Sequence, residues 1–107
     1  MALKKNDIHV IRILKELLES RYTLLDYRVF GSKSRGDDNP DSDIDIMIEL
    51  AESNQTIESE ISDLVFDINL ANDCFISTVI FSQNELEEGP LSESPIYKTI
   101  LREGVAF

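Results

Sequence analysis

The chain has 107 residues, enough for one small domain, and 42% of them are hydrophobic while 29% are charged. That composition excludes a disordered tail, because it supplies enough apolar surface to bury a core. Ten lysines and arginines stand against 21 aspartates and glutamates, and the net charge of −11 argues against generic binding to nucleic acid. The charge is unevenly distributed: residues 1–36 contain eight of the ten basic side chains, whereas residues 37–107 contain seventeen of the acidic ones.

Residue counts exclude several kinds of site. Cys74 is the only cysteine, so the chain has no internal disulfide and no cysteine-rich zinc site, and its apolar setting predicts a buried structural thiol. His9 is the only histidine, so a paired-histidine mechanism is excluded, and it lies in an amphipathic stretch. No apolar run approaches the roughly 20 residues needed to span a bilayer, and the N-terminus has no apolar signal region. We therefore expect a cytoplasmic protein without membrane contact.

The first half of the chain predicts a helix and two strands. Apolar residues from Val10 to Leu18 recur at helical spacing, with Asn6 or Asp7 as the expected N-cap. Tyr22–Phe30 is rich in aromatic and branched residues and predicts a strand that enters a Gly-Ser turn. Asp43–Leu50 alternates and predicts a second strand. One face of that strand carries Ile44, Ile46, Ile48 and Leu50, and the other carries Asp43, Asp45, Met47 and Glu49.

The second half predicts a helix, a strand and a last helix. Apolar positions from Ile57 to Ile68 have helical spacing, and Cys74–Phe81 is an apolar run typical of a buried strand. The last helix is expected to begin at Ser94-Pro95 and to end at Gly104 as a left-handed stop. The order α-β-β-α-β-α predicts an α+β fold in which helices pack against a small mixed sheet. We expect a single domain over residues 1–107.

The boundary between the basic and acidic parts contains a turn suited to phosphate. Gly31-Ser32-Lys33-Ser34-Arg35-Gly36 joins small residues to two cations directly after a predicted strand. Glycine lets the backbone approach a ligand, Ser32 offers a hydroxyl and an amide, and Arg35 can bind an anion through two hydrogen bonds. Basic Gly-Ser turns are common, so this feature is weak evidence when it is considered alone.

Two carboxylates follow that turn. Asp43 and Asp45 stand at i and i+2 of a strand, on one face and about 6.6–7 Å apart along it, so they repel each other. A divalent cation relieves that repulsion, and Mg²⁺ prefers carboxylates together with substrate phosphates. Glu49 lies roughly 13 Å from Asp45 along the strand and is interpreted as a solvated charge. An ordinary polar strand face is the alternative, but aspartate is depleted in strands.

These residues resemble a known signature. Gly31-Ser32-x-x-Arg35-Gly36-x5-Ser42-Asp43-x-Asp45 is similar to that of the polymerase-β-like nucleotidyltransferase superfamily, and the compact layout resembles its minimal nucleotidyltransferase branch. The ending Pro95-Ile96-Tyr97-x-x-Ile100-x-x-Glu103-Gly104-Val105 resembles the close of that branch. The resemblance implies that Gly31 and Ser32 hold a nucleoside triphosphate, ATP being the family expectation. It also implies that Arg35 contacts phosphate or braces the loop and that Asp43 and Asp45 bind Mg²⁺.

The chain departs from the family at one position. The family usually adds a third carboxylate from a later strand, and the matching residue here is Ser77. Asp73 lies just before that strand, but it is four residues from Ser77, which corresponds to about 13 Å along a strand. The departure therefore leaves open whether the third metal ligand comes from this region or from a partner, and whether the domain is an efficient catalyst.

The resemblance also implies a reaction and a partner. Transfer of a nucleoside monophosphate from a triphosphate to a hydroxyl would release pyrophosphate, and short domains of this branch often pair with a HEPN-type toxin ribonuclease. We expect an antitoxin that nucleotidylates such a protein, in a homo- or hetero-oligomer. A weak or inactive domain that neutralises its partner by contact alone is the alternative. A detached catalytic subunit acting on a small molecule or an RNA end is a third, and the acidic surface disfavours the RNA version.

Overall fold

Helix α1, Lys5–Arg21, is the first element of the computed structural model, which describes residues 3–31, 33 and 43–107. Val10, Leu14 and Leu18 are fully buried as the spacing predicts, whereas Ile11 is buried in addition and Ile13 and Leu17 are only half-buried. The predicted N-cap was wrong, because the helix begins after Lys4 and Asp7 lies at its third position. There the Asp7 carboxylate accepts a hydrogen bond of 3.0 Å from the backbone N–H of Lys4, so it satisfies a donor of the helix terminus from within the first turn.

Four strands form one mixed sheet in the order β3-β2-β1-β4. Strand β1 spans Leu24–Phe30, β2 Ile44–Leu50, β3 Ile76–Ser82 and β4 Val105–Ala106. Strand β1 pairs antiparallel with β2 and β4, while β2 pairs parallel with β3. The expected α+β class with a small mixed sheet is therefore confirmed. Strand β4 was not predicted because two residues are too few for an alternating pattern.

Helix α2, Gln55–Asn72, joins β2 to β3 and packs with α1 on one face of the sheet. Asn54 caps its N-terminus by accepting a 2.9 Å hydrogen bond from the N–H of Ile57. Asp73 caps its C-terminus in the left-handed conformation, with φ of 50°. The main core lies between these two helices and the sheet, where the β2 side chains that the alternation assigned to this face are all buried: Ile44, Ile46, Ile48 and Leu50.

The other face of the sheet is covered by short helices near the C-terminus. These are α3, Gln83–Glu88, a 3₁₀ turn at Pro90–Glu93, and α4, Pro95–Glu103. They bury Met47 completely, so the second face of β2 is covered at that residue. Met47 shares a second apolar cluster with Phe81, and the Phe81 ring meets Tyr97 edge-on with centroids 5.3 Å apart.

Helix α4 begins after Ser94 and ends before Gly104, as predicted, but Gly104 is not a left-handed stop. Its φ is −73°, and its N–H donates a 2.7 Å hydrogen bond to the carbonyl of Ile100. A Cβ at this position would overlap the carbonyl oxygen of Ile100 and would lie 3.3 Å from the carbonyl oxygen of Val29. Glycine is therefore favoured chiefly because the chain turns tightly against the last turn of α4 before Val105 pairs with Val29.

None of the helices in the described part of the chain is both long and apolar enough to cross a membrane.

Candidate active site

The beginning of β2 holds the two predicted carboxylates. Asp43 directly precedes the strand and is exposed, and Asp45 is its second residue and is half-buried. The register aligns Asp45 with Phe30 on one side and with Ser77 on the other. Because β2 has a neighbour on both sides, the position of the Asp45 backbone is fixed by two ladders of hydrogen bonds rather than by a free edge.

Gly31 and Asp45 lie against each other. Gly31 follows β1 with φ of 75°, a left-handed conformation that other residues adopt only at a cost. A Cβ at Gly31 would overlap Oδ2 of Asp45 and would lie 3.3 Å from its Cγ. Both the backbone conformation and the close approach therefore require glycine. The structure thus brings the first residue of the predicted turn next to one of the two predicted metal ligands.

The predictions for Ser32 and Arg35 lie outside the described residues. The half of the signature that would hold phosphate is therefore described only through Gly31 and Lys33. The carboxylate half is described through Asp43 and Asp45.

A groove of about 350 Å³ opens beside Gly31. Phe30 and Gly31 form one side of this groove, and α4 contributes the other with Pro95, Ile96, Thr99, Ile100 and Glu103. A larger groove of about 570 Å³ lies at the opposite end of the strands, where Tyr22, Thr23, Ala51 and Glu52 contribute to it. Since the larger groove contains none of the predicted site residues, the groove beside Gly31 is the relevant one.

Neither candidate for the third carboxylate gives a three-ligand cluster in the described residues. Ser77 is aligned with Asp45 across the parallel ladder, which is the position expected for it, and its side chain is exposed. Asp73 caps α2 three residues before β3 begins and is also exposed. Across residues 3–31, 33 and 43–107, no group of three histidine, cysteine, aspartate or glutamate side chains could hold a metal ion.

Two carboxylates remain a chemically suitable donor set for Mg²⁺. Mg²⁺ is commonly held by one or two protein carboxylates, with substrate phosphates and water completing its six ligands. Asp43 is exposed and Asp45 half-buried, so both carboxylates stand at the surface end of β2, where a phosphate can reach them. The residues present therefore fit this ion, provided that the nucleotide supplies the remaining oxygens.

The burial of Lys33, one of the two cations in the turn, was not predicted from the sequence. Lys33 is only 1% exposed, and its Nζ lies 3.4 Å from Oδ2 of Asp7 in α1. This ion pair joins the segment that follows Gly31 to the first turn of α1. Nothing in the local sequence indicates it, because the partners are 26 residues apart and both residue types are usually exposed.

Glu49, at the far end of β2, was interpreted as a solvated charge, and this was wrong. The residue is half-buried, and its pKa is raised first by burial and then by the carboxylates of Asp26 and Glu87, with Arg28 opposing them. Glu49 is four residues from Asp45 along the strand. It therefore belongs to a separate group of charges at the other end of the sheet.

Cys74 and His9 provide no alternative site. The Cys74 thiol is half-buried rather than buried and contacts Oδ1 of Asn69 at 3.4 Å. Burial, followed by the charges of Asp7 and Asp73, raises its pKa, which disfavours the nucleophilic thiolate. His9 is exposed on α1.

Comparisons with known proteins agree with this geometry. A family model described as "Nucleotidyltransferase domain" matches residues 10–106. A curated protein of Methanocaldococcus jannaschii, named "Putative protein adenylyltransferase MJ1379", is 38% identical over 56 residues, which are 52% of this chain and 56% of that protein. The aligned part thus spans little more than half of the curated relative.

Solved structures share the fold at lower identity. One described as a "putative minimal nucleotidyltransferase" has a TM-score of 0.62 at 20% identity and covers 94% of this chain and 91% of its own. One described as a toxin-antitoxin with AMP-PNP has a TM-score of 0.63 at 19% identity and covers 90% and 70%. A third, from Sulfolobus solfataricus, has a TM-score of 0.52 at 23% identity and covers 100% and 90%. The fold that the motif implied is therefore confirmed.

Proposed function

Since the chain belongs to the nucleotidyltransferase domain family, we propose that it transfers AMP from ATP to a hydroxyl group of a partner protein. The observation that carries this proposal is the contact between Gly31 and Asp45. It joins the phosphate-type turn to the carboxylate pair, which are the two parts of the signature that this chemistry requires. Residues 1–107 act in this proposal as one domain.

The site residues divide into two roles. Gly31 and Ser32 receive the triphosphate through backbone amides and a hydroxyl, and Arg35 braces the phosphates or the turn. Asp43 and Asp45 would hold Mg²⁺, and this ion would supply neutralisation of phosphate charge and Lewis-acid polarisation. Without a cation, these two carboxylates would repel an anionic nucleotide, so nucleotide binding depends on the metal.

The reaction exchanges a phosphoanhydride linkage of ATP for a phosphoester linkage to the acceptor. The acceptor hydroxyl oxygen forms a bond to the α-phosphorus of ATP, and the bond from that phosphorus to the bridging oxygen of the β-phosphate breaks. Pyrophosphate leaves, and the hydroxyl proton passes to solvent or to a neighbouring carboxylate. In this direct displacement, catalysis rests on positioning and on charge stabilisation.

The partner is a HEPN-type toxin, and the domain acts as its antitoxin. Two kinds of comparison support this part of the proposal. The curated relative is named "Putative protein adenylyltransferase", and three of the structures that share the fold are described as toxin-antitoxin. The acidic balance of residues 37–107 also suits a basic protein surface.

Ser77 favours a second candidate function. It stands in register with Asp45 at the position where the family usually carries a third carboxylate. A domain with only two ligands would hold the metal less firmly, and its main action would be to cover its partner. In that case the protein neutralises the toxin by contact, with little or no transfer.

Transfer of radiolabel from α-labelled ATP to the protein encoded by the adjacent reading frame separates the two functions. The proposal predicts labelling that requires Mg²⁺ and is lost in Asp43→Asn/Asp45→Asn. Labelling that survives this double substitution would refute the metal assignment. If wild type gives no label but still inhibits the partner, the contact function is supported instead. Glu49→Gln is the matched control, because it removes a carboxylate from the same strand away from the site, and its labelling should equal that of wild type.

A further inference from the structure

Three large apolar side chains are exposed close together in the chain. Phe66 and Leu70 on α2 are 62% and 70% exposed, and Phe75, between α2 and β3, is 72% exposed. Phe66 and Leu70 are separated by four residues and share one side of the helix. Single exposed apolar residues are ordinary, but neighbouring exposed ones such as Phe66 and Leu70 indicate an interaction surface. We refer to Phe66, Leu70 and Phe75 as the α2–β3 surface.

Backbone contacts connect this surface to the beginning of β2. Asn69, next to Leu70, accepts hydrogen bonds from the N–H of Cys74 through its carbonyl and from the N–H of Ile76 through its side chain, at 3.2 and 2.8 Å. The carbonyl of Phe75 in turn accepts a 2.8 Å bond from the N–H of Ile44. Ile44 lies between Asp43 and Asp45. Phe75 therefore connects the α2–β3 surface to the end of the sheet that carries the candidate site, while Phe66 and Leu70 lie on the helix that covers the opposite face of the sheet.

The surroundings of the surface are acidic. No lysine or arginine occurs in the sequence between Asp43 and Tyr97. On α2, Asp63 and Asp67 are exposed and lie three residues before Phe66 and Leu70, so each carboxylate stands beside one of the apolar side chains. An apolar centre bordered by carboxylates is complementary to a surface with an apolar centre and a basic border.

We propose that the α2–β3 surface docks the partner protein through an apolar patch rimmed by lysine and arginine, and so presents the acceptor hydroxyl to Asp43 and Asp45. The acceptor part rests on the proposed function, whereas the docking part does not require transfer. A second copy of this chain is the wrong occupant. Each copy has a net charge of −11 and the same acidic rim, so pairing two of these surfaces would bring like charges together.

Synthetic helical peptides test the docking directly on the full-length chain. The probe is an amphipathic peptide with leucine on one face and lysine on the other, and two matched peptides replace lysine by glutamate or leucine by serine. Binding is followed by fluorescence anisotropy of the labelled peptide and by NMR shifts of the backbone amides. We expect saturable binding of the Leu/Lys peptide alone, with the largest shifts in residues 63–75.

Variants assign the binding to this surface. Phe66→Ser/Leu70→Ser should raise the dissociation constant at least about ten-fold, because it removes the apolar area that the peptide would cover. Leu101→Ser is the control, since Leu101 is 41% exposed on α4, outside the surface. It should bind as wild type does. Equal binding of the three peptides, or equal loss in both variants, would overturn the proposal.

Two further measurements keep docking and chemistry apart. Asp43→Asn/Asp45→Asn should still bind the Leu/Lys peptide in the absence of nucleotide, so transfer can fail while docking stands. If transfer to the partner persists in Phe66→Ser/Leu70→Ser, docking at this surface is refuted and the proposed function is not. A concentration-dependent dimer in sedimentation, abolished by the same variant, would identify a second copy as the occupant and refute the proposed partner.

Discussion

The ion pair between Lys33 and Asp7 should contribute strongly to stability because it is buried. Lys33 is 1% exposed, and the Asp7 side chain is 11% exposed. Removing one partner of a buried pair typically costs about 3–5 kcal/mol, since the other charge loses that contact while it stays in the interior. Asp7 also accepts the N–H of Lys4, a contact that contributes about 1 kcal/mol. We therefore expect Asp7→Ala to lower the free energy of unfolding by about 4 kcal/mol.

Asp7→Asn separates the charge from the helix cap. It keeps an oxygen acceptor for the N–H of Lys4 and removes only the negative charge, so its cost should be about 3 kcal/mol. The double variant Asp7→Asn/Lys33→Met should lose less free energy of unfolding than the sum of the two single variants. Each single substitution leaves one charge of the pair in the interior, whereas the double substitution removes both charges. A small domain has a total stability of about 5–15 kcal/mol, so these losses are easily measured.

Urea denaturation followed by circular dichroism at neutral pH measures these changes. Lys98→Met is the control. It breaks an ion pair with Glu93 that is shorter, at 2.7 Å, but whose side chains are 56% and 75% exposed. An exposed pair contributes little, so the midpoint should not move. If Asp7→Asn shifts the midpoint no further than Lys98→Met does, burial does not determine the strength of the Lys33 contact and the reasoning is refuted.

Three other predictions concern the sheet. Gly31→Ala should lower the free energy of unfolding, measured by urea denaturation, by about 1–3 kcal/mol and should weaken nucleotide binding. The added Cβ would take the space of the Asp45 carboxylate, and φ at this position is positive. Unchanged nucleotide binding would show that the close approach is not required. Ser77→Asp should bind Mn²⁺ about ten-fold more tightly than Ser77→Asn, because aspartate adds a charged ligand. Electron paramagnetic resonance measures this binding, and equal affinities of the two variants would show that position 77 does not contact the metal. The raised pKa of Glu49 means that the folded state binds its proton more tightly, so stability falls as the pH rises from about 4.5 through the folded pKa. Glu49→Gln should flatten that fall in urea titrations, and an identical pH dependence would contradict it.

The strand that carries the carboxylates could be predicted well from the sequence. Alternation from Ile44 to Leu50 identified the strand and the face that the core covers, because that face is uniformly apolar. Met47 departs from the alternation, and this was the signal that something covers the second face. The covering helix α3 is only six residues long and has no clear periodicity, so sequence reasoning did not find it.

The residues of the candidate site could be predicted from the sequence, but the contacts that they make could not. The signature joined Gly31 to Asp45 by spacing alone, and their side-by-side placement follows from antiparallel pairing of β1 with β2. The same pairing could not have indicated Lys33, whose partner lies on α1. Tertiary contacts of this kind depend on how helices pack on the sheet, and local patterns do not carry that information.

The central claim is that Asp43 and Asp45 bind nucleotide through a metal ion, and calorimetric titration with a non-hydrolysable ATP analogue tests it most directly. Wild type should bind the analogue with Mg²⁺ present and lose most of that affinity when the metal is chelated. Asp45→Asn should bind weakly in both conditions, because one of the two carboxylate ligands is gone. Binding to wild type that is unaffected by chelation, or an Asp45→Asn affinity equal to that of wild type in Mg²⁺, would contradict the claim.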